Sequence, residues 1–244
     1  MAESVAAELV VEADLDALSA EAARRMTALV VAAMADRGRC TVALAGGKTP
    51  ERLYRMIAGA HRLAAPWQQV EWFWGDERCV PPDDAESNYR MARDSLLAPL
   101  HVAPDMAHRI RGEQDPDAAA AAYDALLRDR LTAGRFDLVL LGLGADGHTA
   151  SLFPGSPALE EEERWAIAVD GGAALPVRRR VTLTYPVLDQ AGAIFLLVSG
   201  AAKHEAVARI LAGDRSLPAA RLRPAGPLVW LMDRAARDGT RDPA

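Results

Sequence analysis

Short apolar runs alternate along the chain with longer stretches in which apolar residues recur at helical spacing. The first kind predicts buried strands and the second predicts helices. One strand is expected before residue 15, and further strands are predicted at 40–45, 70–74, 136–141, 164–169, 180–185, 192–200 and 227–232. Helices are predicted at 15–36, 50–58, 116–131 and 201–211, with one more opening near Ser87.

Turn and cap residues fit these boundaries. Asp14 or Asp16 is available as the N-cap of the first helix, and Gly38 follows its end. The alternation predicts an α/β protein with a largely parallel central sheet and helices on both faces, a Rossmann-like three-layer arrangement. Since no Pro/Gly/Ser-rich linker and no repeat of fixed period divides the chain, residues 1–244 are expected to form a single domain.

Composition narrows the function classes. The chain has 28 basic and 34 acidic residues and a net charge of -6, which gives no footprint for nucleic acid. Two cysteines, Cys40 and Cys79, are too few for a disulfide framework and have no metal-binding spacing. The N-terminal residues lack the pattern of a signal peptide, and the longest uncharged apolar stretch, 191–202, is short of a membrane span. We expect a cytoplasmic protein with no membrane or obligate protein partner.

The segment 136–154, FDLVLLGLGADGHTASLFP, is the strongest candidate for an active-site loop. A buried strand that ends in glycines can hold Asp146 and His148 at the rim of a sheet, where polar groups meet solvent. An imidazole can take up and release protons near neutral pH, which suits acid–base catalysis. His61, His101, His108 and His204 have no metal-ligand spacing and are expected at the surface.

The segment AGGKTP, 45–50, follows a predicted strand and opens a helix. Gly46 and Gly47 permit close backbone approach, Thr49 is a candidate cap, and Pro50 suits a first helical position. Free N–H groups at such a helix start bind phosphate. A nucleotide P-loop is excluded because its earlier glycine would fall at Val42; a tight turn without ligand stays open as an alternative.

Two other segments carry possible chemistry. After the strand 70–74, the residues Asp76, Glu77 and Arg78 could position a sugar, or could form an ion-paired loop. The tryptophans 67, 72 and 74 are expected in the core. The glycines 142, 144 and 147 match the dinucleotide pattern GxGxxG, but Pro154 and Pro157 interrupt the helix that this motif needs.

Taken together, these segments resemble the 6-phosphogluconolactonase family, which is related to the glucosamine-6-phosphate isomerase/deaminases. The matching stretches are LAGGKTP, WGDERCVPPDDAESNYRMARDSLL, FDLVLLGLGADGHTASLFPGS, RVTLTYPVLD and LLVSGAAKHEAV, in this order. The resemblance implies hydrolysis of 6-phospho-D-glucono-1,5-lactone to 6-phospho-D-gluconate, the second step of the oxidative pentose phosphate pathway. It implies no cofactor and no metal.

The resemblance also assigns roles by position. His148 would be the general base, and Asp146 would orient it or hold its charge. Arg78 would lie near the sugar or near the developing negative charge. The phosphate would be held by Gly46, Gly47, Lys48, Thr49, Arg180 and Lys203, and Asp76 and Glu77 would position the sugar. Lys48 stands where the family more often has Ser or Thr. The run Arg178–Arg180 leaves open which arginine meets the phosphate, and the carboxylate that supports His148 is also open.

The sequence leaves two rival functions open. One is an amino-sugar-phosphate isomerase/deaminase, a family whose loop continues past the histidine into Asn-Glu-Pro. This chain has Ser151, Leu152, Phe153 and Pro154 in that region, and the missing glutamate disfavours deamination. A sugar-phosphate sensor would need a DNA-binding module, and the first 40 residues fit a strand and one long helix better.

Overall fold

A computed structural model describes residues 7–172 and 175–240. Its central sheet contains six parallel strands in the order β1-β9-β8-β5-β2-β3. These strands are β1 (Glu8–Glu12), β2 (Cys40–Leu44), β3 (Val70–Trp74), β5 (Leu138–Gly142), β8 (Ile194–Val198) and β9 (Leu228–Asp233). All five residues of β2 and of β8 are buried, as expected for strands covered on both faces. The predicted α/β fold class is confirmed.

The helices are α1 (Leu15–Arg37), α2 (Lys48–Ala58), α3 (Asn88–Ala92), α4 (Pro116–Arg130), α5 (Tyr185–Leu188), α6 (His204–Leu211) and α7 (Arg234–Asp238). Five of them match predicted segments with shifts of up to three residues at their ends, whereas the short helices α5 and α7 were not predicted. Asp14 caps α1 by accepting the Ala17 N–H, and Gly38 ends it with φ +63°. No helix in the described ranges, 7–172 and 175–240, is long and apolar enough to cross a bilayer.

The start of α2 differs from the prediction. The helix begins at Lys48 instead of Pro50, and its N-cap is Gly47, which has φ +102° and makes no side-chain cap bond. Thr49 therefore lies inside the first turn and does not cap it. Glycine satisfies the backbone geometry here without supplying a capping oxygen.

Three strands form a separate antiparallel sheet, which the alternation alone did not predict. The strands β4 (Asp76–Arg78), β7 (Arg179–Leu183) and β6 (Ala166–Asp170) pair in that order. The predicted strands 164–169 and 180–185 are thus present, but they belong to this second sheet and not to the central one. The short β4 begins two residues after β3 ends, so this second sheet stands beside the carboxyl edge of the first.

The strand order places a crevice at that same edge. From β2 the chain proceeds to β3 on one side, whereas β5 lies on the other side of β2 and leads on to β8 and β9. The loops that leave β2 and β5 therefore diverge. In parallel sheets such a switch of direction is where ligands bind.

Candidate active site

A cleft of about 290 Å³ opens at the switch point between β2 and β5. Its walls come from the loops after β2, β5 and β8 and from the second sheet. Seven of the predicted site residues line it: Gly46, Gly47, Asp76, Arg78, His148, Arg180 and Lys203. Residues that lie more than 150 positions apart in the chain are thus brought to one place.

Two buried tyrosines fix the strand ends that frame the cleft. The Tyr54 hydroxyl accepts the Ala45 N–H at 3.0 Å and donates to the Ala45 carbonyl at 2.8 Å. Tyr123 makes the same pair of bonds with Trp74, at 2.8 and 3.0 Å. Each hydroxyl thereby takes the place of a neighbouring strand where the ladder stops. The loops that follow start from fixed positions.

Asp146 and His148 form a hydrogen-bonded pair at the cleft. The Nδ1 atom of His148 lies 2.6 Å from Oδ1 of Asp146, and the same oxygen accepts the His148 backbone N–H at 3.2 Å. The hydrogen bond from His148 holds the pKa of Asp146 below its usual value. An ionised carboxylate at Nδ1 fixes the tautomer that leaves Nε2 as an acceptor. The carboxylate that supports the histidine is therefore Asp146.

The pair depends on a glycine that faces it. A Cβ at Gly144 would lie 2.1 Å from Nδ1 of His148 and 2.4 Å from Oδ1 of Asp146. The Phe153 ring also packs against the imidazole, with the ring centroids 4.8 Å apart and the ring planes tilted by 49°. The imidazole is thus confined by a backbone and by an aromatic ring.

Two arginines lie side by side on one face of the second sheet. Arg78 and Arg180 are register partners in the β4–β7 pair, so their side chains share a face. Nη1 of Arg78 donates to the Glu86 carbonyl at 2.5 Å, while its Nε is buried and has no hydrogen-bond partner in the structure. Burial lowers the pKa of Arg180, against the opposing effect of Asp76. Like charges placed together in a half-closed cleft favour an anionic ligand.

The structure separates Arg180 from its two neighbours. Arg178 bonds to Asp170 at 2.9 Å and Arg179 lies 3.7 Å from Asp117, both on the exposed surface. Arg180 is buried and points into the cleft. Of the three arginines, only Arg180 lines the cleft.

Asp76 is buried within a network. Its Oδ2 accepts the Ser151 hydroxyl at 2.5 Å and lies 3.8 Å from Nη1 of Arg180, and its Oδ1 accepts from the Asn88 amide at 3.1 Å. With these partners, the Asp76 carboxylate orients the guanidinium of Arg180. Asn88 also explains why residue 46 is glycine, because a Cβ there would lie 1.9 Å from Oδ1 of Asn88.

Glu77 does not line the cleft, which corrects the expectation that it positions substrate. Its two oxygens accept the N–H groups of Arg78, Asn88 and Tyr89 and the hydroxyl of Ser87, at 2.7 to 3.0 Å. Burial raises the pKa of Glu77, and the backbone donors oppose that effect. The carboxylate holds the start of α3 against β4, so Glu77 supports the site by fixing the backbone around Arg78 and Asn88.

The start of α2 contributes backbone groups to the cleft. Gly46 and Gly47 line it, whereas Lys48 is exposed and neither Lys48 nor Thr49 has its side chain in the lining. The first N–H groups of a helix have no partner within the helix, and the dipole favours an anion there. Lys203, from the turn after β8, reaches the same cleft. Burial lowers the pKa of Lys203, and Asp146 opposes this.

Other sequence expectations have clear outcomes. The tryptophans 67, 72 and 74 are fully buried, as predicted. His108 is buried and bonds to Glu71 at 3.0 Å, so the expectation of a surface position was wrong.

The chain between Gly147 and β6 forms no crossover helix, which removes the dinucleotide alternative. Within residues 7–172 and 175–240, no cluster of His, Cys, Asp and Glu could hold a metal ion.

The fold and the cleft together define an α/β protein that places a hydrogen-bonded Asp–His pair and a group of cationic side chains at the carboxyl edge of its sheet. The family model described as glucosamine-6-phosphate isomerases/6-phosphogluconolactonase matches residues 13–230. The chain belongs to this family.

Similar proteins cover nearly the whole chain. A 6-phosphogluconolactonase from Synechocystis is 40% identical over 88% of this chain and 91% of that protein. One from Mycobacterium tuberculosis is 39% identical over 91% of this chain and 94% of that protein. Among solved structures, the 6-phosphogluconolactonase from Trypanosoma brucei superposes with a TM-score of 0.81 at 31% identity and covers 94% of this chain and 97% of that one.

Proposed function

We propose that this protein hydrolyses 6-phospho-D-glucono-1,5-lactone to 6-phospho-D-gluconate. The observation that carries the proposal is that the Asp146–His148 pair and the cationic groups Arg78, Arg180 and Lys203 border one cleft. The relatives named 6-phosphogluconolactonase support the same activity. The domain that performs it spans residues 1–244 in this proposal.

His148 is the general base. Asp146 accepts a hydrogen bond from Nδ1–H and stays ionised, so Nε2 takes a proton from a water molecule as the water oxygen attacks the lactone carbonyl carbon. The carbonyl electrons move to its oxygen, which becomes an oxyanion. When the carbonyl re-forms, the bond from this carbon to the ring oxygen breaks, and His148 returns the proton to that oxygen. Water and lactone are consumed, and one carboxylic acid with a free hydroxyl is formed.

A lactone needs little further activation. The ester is already reactive, so a positioned base and a held water suffice without a nucleophilic serine. Arg78 supplies fixed positive charge near the oxyanion, where a cation acts most strongly in the transition state. Its buried Nε has no hydrogen-bond partner among the described residues, which supports an interaction with a group that the substrate brings.

In this proposal the substrate phosphate lies against the start of α2, beside Arg180 and Lys203. Gly46 and Gly47 offer backbone N–H groups, with those of Lys48 and Thr49 in the first turn of α2, and Arg180 and Lys203 add charge. Asp76 keeps Arg180 in position. Binding energy from the phosphate then fixes the reacting carbon at His148.

The test is a comparison of three substrates with purified protein. Lactone hydrolysis is measured by the release of acid. We expect fast hydrolysis of 6-phosphogluconolactone and a much lower kcat/KM for unphosphorylated gluconolactone. Ammonia release from glucosamine 6-phosphate should stay at background. Fast ammonia release, or lactone hydrolysis no faster than the spontaneous reaction, would overturn the proposal.

A further inference from the structure

The turn after β8 determines where Lys203 enters the cleft. Gly200 has φ +93°, a conformation that side-chain-bearing residues rarely adopt, and a single helical turn at Ala201–Lys203 follows it. The Lys203 N–H donates to the Gly200 carbonyl at 3.0 Å. The direction of the Lys203 side chain therefore depends on the conformation at Gly200.

A buried carboxylate outside the cleft holds this turn. Asp233 ends the neighbouring strand β9 and is fully buried. It accepts the Gly200 N–H at 3.1 Å on one oxygen and 3.0 Å on the other, and it also accepts the Ser199 hydroxyl. Its third donor is the Ala236 N–H, at 2.7 Å, in the first turn of α7.

A neutral amide would weaken these contacts. Three donors converge on the two oxygens of Asp233, whereas an asparagine has one accepting oxygen and would turn its NH2 group towards the Ser199 hydroxyl or a backbone N–H. Hydrogen bonds to a charged group are stronger than neutral ones, and the site is buried. An amide at this position would therefore remove the charged acceptor that holds the turn.

We infer that Asp233 is a positioning residue for the substrate phosphate, which it controls by fixing the turn that presents Lys203. The inference rests on the proposed function, since it takes Lys203 to be a phosphate ligand. Asp233 itself does not line the cleft, and its effect passes through Gly200 to Lys203. Nothing in the reaction at His148 needs it.

The experiment is a double-mutant cycle with two substrates. Asp233→Asn should raise KM for 6-phosphogluconolactone about tenfold, the scale of one lost hydrogen bond to a charged group, while kcat changes little. The kcat/KM for unphosphorylated gluconolactone should stay within about twofold of the parent, because that substrate has no group for Lys203. In a Lys203→Met background, Asp233→Asn should cause little additional loss.

Asp137→Asn is a matched control. Asp137 also accepts a backbone N–H, from Thr41 at 2.8 Å, but at the opposite edge of the sheet. This variant should lower the Tm without changing the ratio of the two substrates. If Asp233→Asn is too unstable to assay, Gly200→Ala tests the same turn and should likewise raise KM for the phosphorylated substrate. The added Cβ meets nothing within 4 Å, so this substitution acts only through the backbone conformation at residue 200.

Equal losses on both substrates, or a full additional loss in the Lys203→Met background, would overturn the inference and leave the proposed function standing. A parent protein that hydrolyses neither lactone would overturn both. If Lys203→Met selectively impairs the phosphorylated substrate but neither Asp233→Asn nor Gly200→Ala does, the role of Asp233 is refuted and that of Lys203 stands.

Discussion

Gly144→Ala tests the contact on which the base depends, without removing any catalytic group. The added Cβ would lie 2.1 Å from Nδ1 of His148, and real Cβ atoms keep at least 3.0 Å, so the imidazole must move by about 0.9 Å. The same Cβ would also press on Asp146, at 2.4 Å, and would break a hydrogen bond of 2.6 Å. A displacement of about 1 Å at a catalytic group costs about 100-fold in rate. This corresponds to about 2.7 kcal/mol of transition-state stabilisation.

The assay is steady-state hydrolysis of 6-phosphogluconolactone, corrected for the spontaneous reaction. We expect kcat to fall about 100-fold and KM to change by less than about threefold, because the phosphate ligands are untouched. Gly75→Ala is the control: it also lies in the cleft, but its Cβ would make ordinary contacts, the nearest at 3.5 Å to the Leu44 carbonyl. A Gly144→Ala enzyme with the kcat of the parent would refute the account of the Asp146–His148 pair.

Three other changes test separate parts of the account. His148→Ala should lower kcat by about two to four orders of magnitude, the range of a general base, and a parental rate in this variant would exclude that role. Arg180→Ala should raise KM for the phosphorylated lactone and leave the unphosphorylated one nearly unaffected; equal losses on both would contradict the phosphate assignment. Burial raises the pKa of Cys40 from 9.0 to about 12, so the neutral thiol is favoured in the folded state. The stability from this group should be complete below pH 9 and be lost between about pH 9 and 12. Denaturant unfolding of Cys40→Ala should show a smaller alkaline decline than the parent, and identical declines would refute this.

The strand–turn–helix at residues 40–58 could be predicted because local signals agree there. Apolar residues give β2, two glycines give the turn, and helical spacing gives α2. The exact start of α2 could not be predicted, since Gly47 caps by conformation and not by a side chain. The loop with Asp146 and His148 was also predictable, because glycines directly follow a buried strand.

The second sheet and its network could not be predicted from pattern. The three residues of β4 are all charged and carry no apolar alternation, so only their pairing with β7 makes them a strand. The carboxylates of Asp76 and Glu77 are adjacent in sequence, yet one faces Arg180 and the other holds the start of α3. Alternation along a strand predicts opposite faces, but not which face meets the cleft.

The tyrosines and Asp233 were missed for a different reason. Tyr54 and Tyr123 occupy apolar positions of helices, so the sequence predicts them only as core residues. The hydrogen-bond partners of their hydroxyls depend on tertiary packing. The role of Asp233 could not be predicted because its partners Ser199 and Gly200 lie more than 30 residues away in the chain. An acidic residue at the end of an apolar strand is the one local signal that could have drawn attention to it.

The most direct test of the central claim is an experimental structure with 6-phospho-D-gluconate bound. We predict that its phosphorus lies between the Gly46–Gly47 backbone, Arg180 and Lys203, and that its carboxylate lies within hydrogen-bond distance of Nε2 of His148. A ligand bound in the reverse orientation, or outside this cleft, would contradict the proposed division of the cleft into a phosphate end and a reacting end.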